Sequence, residues 1–282
     1  MNTEYNSSTH ISFIGVGNMA GAIIAGMCRH GFQPEQLLGT TRSPESAARA
    51  TEAYGIRVIN DNAQAVQYAD VLVLAVKPQM MQDTCIALAA KVQAKKPLIV
   101  SVAAGISAQD IAHWLGGNLA VVRCMPNTPA LVGAGMSGLY ANAQTANAQK
   151  ALVDQMFAAV GRTLWVDEEQ AMHTVTALAG SAPAYFFRFV EALMKAGEAR
   201  GLSSAQAHEL ATYTALGAAR MMTETHDHPT QLRQKVTSPK GTTEQAILSF
   251  EREGIDTLVE HAVAACIGRS EELAAQLAHR DV

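Results

Sequence analysis

The sequence has few cysteines and little surplus charge, and each shortage excludes a class of protein. Its four cysteines are far apart and form no CxxC pair, so we expect neither a disulfide framework nor a zinc site, and we expect a reducing, cytoplasmic setting. The net charge of −4 provides no basic surplus with which to neutralise many phosphates, so binding to nucleic acid is not expected.

Long apolar runs are also missing. No run approaches the roughly 20 residues that a membrane-spanning helix needs. The N-terminal segment MNTEYNSSTH is polar and lacks a signal-peptide core. We therefore expect neither membrane insertion nor secretion, and a loose tail over the first nine residues. With 49% hydrophobic and 16% charged residues in a chain of 282, the composition is that of a folded protein of one large or two modest domains.

Short apolar runs alternate with helix-like stretches from His10 to about Met125. Runs that are apolar almost throughout are typical of parallel strands covered on both faces, and the intervening stretches suit crossover helices. We therefore predict an α/β domain with a doubly wound sheet over residues 1–165. The predicted strands are Ile11–Ile14, Leu37–Thr41, Val71–Val76, Leu98–Val102 and Ala120–Met125, extended at one edge by Met136–Tyr140 and Thr163–Val166; the predicted helices are Ala20–His30, Pro44–Tyr54 and Ala108–Leu115.

After about Val166 the strand-like runs stop and alanine-rich helical periodicity predicts an all-helical part over residues 166–282. Small residues on one of its helices allow another helix to approach closely, and the weak charge of this part indicates an oligomer interface. These small residues are Ala211, Ala215, Ala218 and Ala219. The predicted helices are Glu168–Leu178 (ending at Gly180), Pro183–Arg200, Ser203–Thr225, Thr242–Glu253 and Ile255–Ala278.

A glycine motif, Gly15-Val-Gly17-Asn18-Met19-Ala20, follows the first predicted strand and opens a helix. Gly15 allows a tight turn, Gly17 lets the backbone approach a pyrophosphate, and Ala20 permits close packing of helix on strand. The helix N-terminus offers N–H groups to the phosphates. In this strand–helix context the motif predicts a dinucleotide site; the alternative is a glycine-rich turn without a ligand.

The residues after the second strand indicate which dinucleotide binds. An NAD enzyme usually carries an acidic residue there for the ribose 2′-hydroxyl. This chain has Thr41, Arg42 and Ser43 instead. Because a guanidinium can bind a 2′-phosphate that a carboxylate would repel, we predict NADPH, with NADH possible. Arg42 as an ordinary solvated arginine is the alternative.

Two further strand ends meet the same predicted edge of the sheet, where ligands sit in open α/β folds. Ala75, Val76, Lys77 and Pro78 follow the Val71 strand. The small residues Ala103 and Ala104, after the next strand, leave room for a nicotinamide ring. On spacing alone, Lys77 facing the nicotinamide ribose and Lys77 as a solvated loop residue are equally supported.

Three segments between residues 123 and 244 suggest a substrate site. Residues 123–129 (RCMPNTP) form a stiff turn, and residues 180–185 (GSAPAY) open a helix. Residues 236–244 (VTSPKGTTE) bring three hydroxyls, a glycine and a helix start together, which suits a carboxylate. That Ser238 and Thr242 only cap helices is an equally good interpretation. The pair His226 and His228 is better explained by a helix cap or loop than by a metal site, and no metal is expected.

At these residues the chain resembles the pyrroline-5-carboxylate reductase family. The matching stretches, in family order, are FIGVGNMAGAI, LAVKPQ, SVAAGI, RCMPNTPALVGAGM, LAGSAPAYFF, HDHPTQL and SPKGTTEQAI. The resemblance implies NAD(P)H-dependent reduction of 1-pyrroline-5-carboxylate to L-proline, a Rossmann domain and a C-terminal helical dimerisation domain, and a homo-oligomer that is a dimer or an assembly of dimers.

The resemblance also implies roles for individual residues. Ser238 and the N–H groups of Gly241, Thr242 and Thr243 would hold the substrate carboxylate, and the Thr243 hydroxyl would hydrogen-bond the ring nitrogen. Ser238 and Thr243 are therefore the predicted catalytic residues. Glu169 matches an acidic position near the substrate; Asn62, Val76, Lys77 and Ala104 match cofactor contacts.

One residue departs from the family pattern, and two other functions compete. The family loop commonly reads SPGGTT, and Lys240 replaces the first glycine. Lys240 is strained if that position needs a positive φ, or it adds positive charge near an anionic substrate. The competing functions are a related imine reductase or β-hydroxyacid dehydrogenase-type enzyme, and a non-catalytic NADP-binding sensor or scaffold.

Overall fold

The computed structural model describes residues 9–278; the predicted tail over the first nine residues lies outside this range except for Thr9. Among these residues no helix is both long enough and apolar enough to cross a membrane. The chain forms two compact units, one holding the residues up to Ser181 and those from Cys266 onward, the other Ala182–Ala265. The first unit continues past residue 165 because the helical residues after that position include the buried Met172 and Ala177. A functional boundary at 165/166 stays a prediction.

The first unit contains one eight-stranded sheet in the order β3-β2-β1-β4-β5-β6-β7-β8. All neighbouring pairs are parallel except β6 with β7. This confirms the predicted doubly wound sheet, with the two later runs extending one edge. The strands are β1 Ile11–Ile14, β2 Leu37–Thr40, β3 Arg57–Ile59, β4 Val71–Leu74, β5 Leu98–Ser101, β6 Val121–Met125, β7 Gly135–Ala141 and β8 Gly161–Trp165.

Helices cover the sheet, and their ends follow local chemistry. The helix Pro44–Tyr54 begins at Ser43, whose hydroxyl accepts from the Ser46 N–H, and ends at Gly55 in the left-handed conformation. The helices are α1 Asn18–Arg29, α2 Pro44–Tyr54, α3 Asn62–Tyr68, α4 Met81–Lys95, α5 Ala108–Trp114, α6 Asn147–Ala158, α7 Ala171–Val175, α8 Ala182–Glu198, α9 Ser204–Glu224, α10 Pro229–Lys235, α11 Thr242–Arg252 and α12 Ile255–Ala278. Those after β8 confirm the predicted helical C-terminal part.

One predicted helix end is wrong. The sequence indicated a helix that stops at Gly180, but a π-helix, Thr176–Ser181, joins α7 directly to α8. Gly180 is tolerated within this helix because its missing side chain makes room for Met125: a Cβ there would lie 2.4 Å from the Met125 Cε. Strand β3 was not predicted, and helices α3, α4, α6 and α10 were not given bounds from the sequence.

The core lies on both faces of the sheet. All four residues of β1, β2, β4 and β5 are buried, as the near-continuous apolar runs predict. Two of the cysteines share this environment: burial raises the pKa of the Cys85 thiol to about 12 and raises the pKa of the Cys124 thiol well above its usual value. Cys28 and Cys266 are half-buried, and all four cysteines are free. The carboxyl ends of the parallel strands β1, β2, β4 and β5 meet at one edge, which carries the candidate site.

Candidate active site

The turn after β1 is shaped for a close approach of the chain to a ligand. Gly15 has φ +92°, and a Cβ there would lie 3.2 Å from the Ala75 carbonyl oxygen, so a larger residue would be strained and crowded. The Gly15 N–H donates to the Thr40 hydroxyl over 3.2 Å, which fixes the turn to the end of β2. Gly17 precedes α1 and has open space within 4 Å of its missing side chain.

The N-terminus of α1 is free of competing groups. No side chain caps it, and its first turn holds no acidic residue. The positive end of the helix dipole and the first N–H groups are therefore available to an anion. This local structure fits the pyrophosphate of a dinucleotide.

A groove of about 640 Å³ runs from this turn along the edge of the sheet. It brings together eight of the predicted cofactor residues, namely Gly15, Gly17, Thr41, Arg42, Asn62, Ala75, Val76 and Lys77. Sequence reasoning missed other polar residues that line it, namely Thr40, Ser46, Asn60 and Thr84. Asn60 directly follows β3, whose three residues are too short a run to be read as a strand from the sequence.

The remaining predicted cofactor residues lie beside the groove or beyond its end. Asn18 and Met19 are in the first turn of α1, and Ala20 is buried in the core. Ser43 caps α2. Ala103 is buried at the end of β5. Pro78 and Ala104 line a second cavity, described below.

The far end of the groove suits a phosphate. Arg42 is exposed there and donates to the Met80 thioether. Ser43 and Ser46 lie on the neighbouring turn, where Arg49 donates to the Ser46 hydroxyl over 3.2 Å. Among the described residues that line the groove there is no carboxylate. Nothing in this lining would therefore repel a 2′-phosphate.

The second cavity, of about 300 Å³, lies within the first unit next to the end of β5. Ala104 and Gly105 form one wall, and the hydroxyls of Thr176 and Ser181 from the π-helix lie on another. The last turns of α12 close it with Ser270, Leu273 and Leu277. Small walls and a few hydroxyls suit a planar ring with polar substituents.

The RCMPNTP segment anchors the π-helix. The buried Asn127 amide donates to the Ala179 carbonyl over 3.0 Å and accepts from the Met136 N–H over 2.9 Å. Met125 packs against Gly180. The RCMPNTP segment therefore meets the start of the GSAPAY segment within the first unit, and the stiff turn between the prolines serves as a rigid support.

Glu169 has partners of its own in the first unit. One carboxylate oxygen accepts from Arg123 Nη1 over 2.9 Å and from the Ala108 N–H over 2.7 Å. The Arg123 side chain is 8% exposed and that of Glu169 is 26% exposed. A role for Glu169 in contacting substrate stays a prediction.

The third segment lies in the second unit, between α10 and α11. Gly241 precedes α11 and no side chain caps this helix, so Ser238 and Thr242 are not caps of α11. The Gly241 N–H donates to the Ser238 carbonyl over 2.9 Å, which closes the turn. Thr243 is half-buried in the first turn of α11. The N–H groups of Thr242 and Thr243 are therefore available for a carboxylate, whereas the Gly241 N–H is already used within the turn.

Lys240 adopts the strained conformation that the sequence left open. Its φ is +58°, in the region that favours glycine. Its N–H donates to the Glu244 carboxylate over 2.8 Å, and among the described residues its ammonium has no ion-pair partner. Nearby, His228 caps α10 by accepting from the Thr230 N–H, which confirms the capping interpretation of that histidine.

Comparison with known proteins places this chain in a family. Residues 169–273 match the family model for pyrroline-5-carboxylate reductase dimerisation, and residues 10–105 match a model described as coenzyme F420-dependent NADP oxidoreductase. The chain is 48% identical to the pyrroline-5-carboxylate reductase of Pseudomonas aeruginosa, over 96% of this chain and 99% of the relative.

Solved structures agree. The pyrroline-5-carboxylate reductase of Coxiella burnetii superposes with a TM-score of 0.91 at 42% identity, covering 94% of this chain and 98% of that one. The Plasmodium falciparum pyrroline carboxylate reductase, solved with NADP bound, has a TM-score of 0.82 at 26% identity, covering 95% of this chain and 99% of that one. The glycine-turn groove, the uncapped turn before α11 and these likenesses over nearly the whole chain lead to one conclusion: the protein belongs to the pyrroline-5-carboxylate reductase family.

Proposed function

We propose that this protein reduces 1-pyrroline-5-carboxylate to L-proline with NADPH, as the final step of proline biosynthesis. The observation that carries the proposal is the 48% identity to a reductase of that name over 96% of the chain. The related imine reductase or β-hydroxyacid dehydrogenase-type alternative is not favoured, since the relatives compared above carry the pyrroline-5-carboxylate reductase name.

In this proposal the edge of the sheet binds the cofactor. Gly15, Gly17 and the first turn of α1, with Asn18, Met19 and Ala20, hold the pyrophosphate. Residues Thr41, Arg42 and Ser43 hold the 2′-phosphate. Past Asn62 and Ala75–Lys77 the cofactor leaves the groove and enters the second cavity next to Pro78, where Ala103 and Ala104 form the wall beside the nicotinamide. When bound, NADPH supplies the hydride that the imine carbon accepts.

The turn before α11 holds the substrate. Ser238 and the N–H groups of Thr242 and Thr243 bind the carboxylate, the Gly241 N–H joins them when it gives up its bond to the Ser238 carbonyl, and Glu169 is a further predicted contact. The Thr243 hydroxyl hydrogen-bonds the ring nitrogen, which already carries its proton when the imine reacts, so hydride addition to the carbon turns the C=N double bond into a single bond and leaves a neutral secondary amine. A protonated imine is already electrophilic, so placement and electrostatics account for catalysis. We assign Thr243 to orientation because a hydroxyl is a poor acid.

Steady-state kinetics with 1-pyrroline-5-carboxylate and β-keto acids test the reaction directly. We expect NADPH oxidation only with the cyclic imine. Turnover of a β-keto acid alone would identify a hydroxyacid dehydrogenase instead, and tight NADPH binding without any turnover would identify a sensor or scaffold.

The Arg42→Ala variant tests the cofactor choice. Loss of a charge-assisted contact to the 2′-phosphate should lower kcat/KM for NADPH by about tenfold or more and leave NADH almost unaffected. Arg162→Ala, which removes another exposed arginine, on β8, is the matched control. Equal losses with both cofactors would contradict a role for Arg42 in recognising the 2′-phosphate.

The Thr243→Val variant tests the mechanism. Single-turnover rates at saturating NADPH should fall by about tenfold or more because the ring nitrogen loses its oriented partner. Thr257→Val, at an exposed position of α12, should keep the wild-type rate. An unchanged rate for Thr243→Val would remove that hydroxyl from the mechanism.

The family model for dimerisation supports a homo-oligomer. The finer assignment, a dimer or an assembly of dimers, is part of this proposal, as is a cytoplasmic location. Exposed aromatic and aliphatic side chains on the helices of the second unit support an interface with another copy.

A further inference from the structure

The loop between β5 and α5 forms the proposed nicotinamide wall, yet its own side chains hold it weakly. Ala103, Ala104 and Gly105 are small, and Gly105 has φ +75°. Ile106 is buried and ties the loop to the core, but apolar contact is non-directional. The exact position of the wall therefore depends on directional hydrogen bonds at the two ends of the loop.

Local hydrogen bonds hold both ends, namely the Val102 N–H to the Leu74 carbonyl over 3.1 Å and the Asp110 N–H to the Ser107 hydroxyl over 2.9 Å, and two further bonds act beside them. At the start, the Ala103 N–H donates to the Ser101 hydroxyl over 3.3 Å. At the other end, the Ala108 N–H donates to the Glu169 carboxylate over 2.7 Å. The second bond is the shorter, and a carboxylate at the N-terminus of α5 is also stabilised by the helix dipole.

Arg123 fixes the carboxylate that makes this bond. Its Nη1 donates over 2.9 Å to the same oxygen of Glu169 that accepts from Ala108. Arg123 lies directly across from Ser101 in the register of β5 with β6, so the ion pair is built beside the start of the loop as well. Arg123 Nε is buried and has no hydrogen-bond partner among the described residues.

A buried arginine with an unsatisfied donor is costly. A buried ion pair is weak grounds for a purely stabilising role. One oxygen of Glu169 is shared between the guanidinium of Arg123 and the Ala108 N–H. This geometry instead fixes the position of the start of α5.

We propose that Arg123 and Glu169 are positioning residues that set the wall Ala103–Gly105, and through it the placement of the nicotinamide ring. The inference rests on the proposed function for the identity of the cofactor. It differs from the predicted role of Glu169 as a substrate contact, because here the carboxylate acts through the loop.

The test compares NADPH with 2′,5′-ADP, which carries the adenosine and the 2′-phosphate without the nicotinamide. Glu169→Gln removes the charge and leaves Arg123 buried and unpaired. We expect NADPH affinity to fall about tenfold, equivalent to about 1.4 kcal/mol, while 2′,5′-ADP affinity stays within about twofold. The primary isotope effect on kcat with NADPH deuterated at the transferred position should rise, because hydride transfer slows.

Asp154→Asn is the matched control. Asp154 also accepts two hydrogen bonds, from Thr163 and Trp165, but it lies on α6 and acts on β8, away from this loop. We expect this variant to lose stability without separating the two ligands or changing the isotope effect. If Glu169→Gln folds poorly, Glu169→Asp keeps the charge with a shorter reach, and the same two-ligand comparison applies.

Several outcomes would overturn the inference. Equal losses for NADPH and 2′,5′-ADP would mean a general structural role, and a raised KM for the imine with unchanged NADPH binding would mean a direct substrate contact. Unchanged NADPH affinity together with an unchanged KM for the imine would mean that the Arg123–Glu169 pair does not act at the site. The ligand titrations need no turnover, so a wild-type protein inactive on 1-pyrroline-5-carboxylate would refute the proposed function while this comparison still decides the inference.

Discussion

In the first compact unit four neighbouring strands are buried along their whole length, whereas in the second unit large apolar side chains face outward on nearly every helix. The buried apolar residues in the second unit are only the alanines Ala182, Ala207 and Ala211. By contrast, Phe186 is 66% exposed and Tyr213 is 68% exposed. Helices α10 and α11 bury no residue.

This difference shows that the first unit buries its large apolar side chains within the chain, whereas the second unit does not. A sheet covered by helices removes its apolar area from water within one chain. The helices of the second unit, α8 to α11 and the start of α12, leave large apolar side chains exposed, and an apolar surface of this kind marks an interface. The exposed apolar side chains of the second unit therefore need another protein surface to cover them. This is in keeping with the family model for dimerisation that matches residues 169–273.

The largest expected effect comes from placing a charge on that surface. Phe187, on α8, is 63% exposed. Phe187→Glu should cost each interface about 3 kcal/mol or more, since an aromatic contact is lost and a carboxylate is desolvated in both copies. Sedimentation or light scattering should show a smaller assembly than wild type.

Ile86→Glu provides the control in the first unit. Ile86, on α4, is 47% exposed and its replacement should leave the mass of the assembly unchanged. A Phe187→Glu variant with wild-type mass would show that this part of the second unit is not covered by another copy.

Two helical glycines give the next comparison. A Cβ at Gly26, on α1, would lie 2.2 Å from Val160 and 2.8 Å from the Ala159 carbonyl oxygen, whereas a Cβ at Gly217, on α9, meets nothing within 4 Å. Gly26→Ala should lower the free energy of unfolding by about 1–3 kcal/mol because it overpacks a filled core. Gly217→Ala should raise helix stability by up to about 1 kcal/mol. Urea denaturation measures both, and the reverse order would contradict the contrast between the units.

The smallest effect concerns the strained residue of the second unit. Lys240→Gly should raise the free energy of unfolding by up to about 1 kcal/mol, because glycine adopts the positive φ without steric cost. Lys240→Met keeps the strain and removes the ammonium, so it should bring no gain. If the charge attracts the anionic substrate, both variants raise KM for 1-pyrroline-5-carboxylate. Equal stability of all three proteins in thermal unfolding would show that the strain is offset elsewhere.

The parts of the site that the sequence indicated are those with a local cause. Gly15 and Gly17 are required by a turn that a few residues define, and Arg42 follows at a set distance along the chain. The missed residues, such as Asn60 and Thr84, carry no local signal. Asn60 reaches the groove because β3 ends at the same edge as the other parallel strands, and Thr84 reaches it from the first turn of α4.

The helix that was predicted to stop at Gly180 shows that distant contacts can also overrule a local sequence signal. Glycine near a helix end usually indicates a stop. Here Asn127, far away in the chain, binds the Ala179 carbonyl, and Met125 fills the space beside Gly180. These contacts between residues distant in the chain therefore outweighed the tendency of glycine to end a helix.

The sequence by itself determined the covered sheet, the glycine turn and the helical C-terminal part, because each follows from periodicity or from the conformational limits of a few adjacent residues. Only the tertiary structure decided that Glu169 joins Arg123 to the start of α5, that the π-helix runs through Gly180, and that Lys240 has a positive φ. These features depend on which distant groups meet or on the backbone angles that a loop must adopt, and such geometry is fixed only when the whole chain has packed.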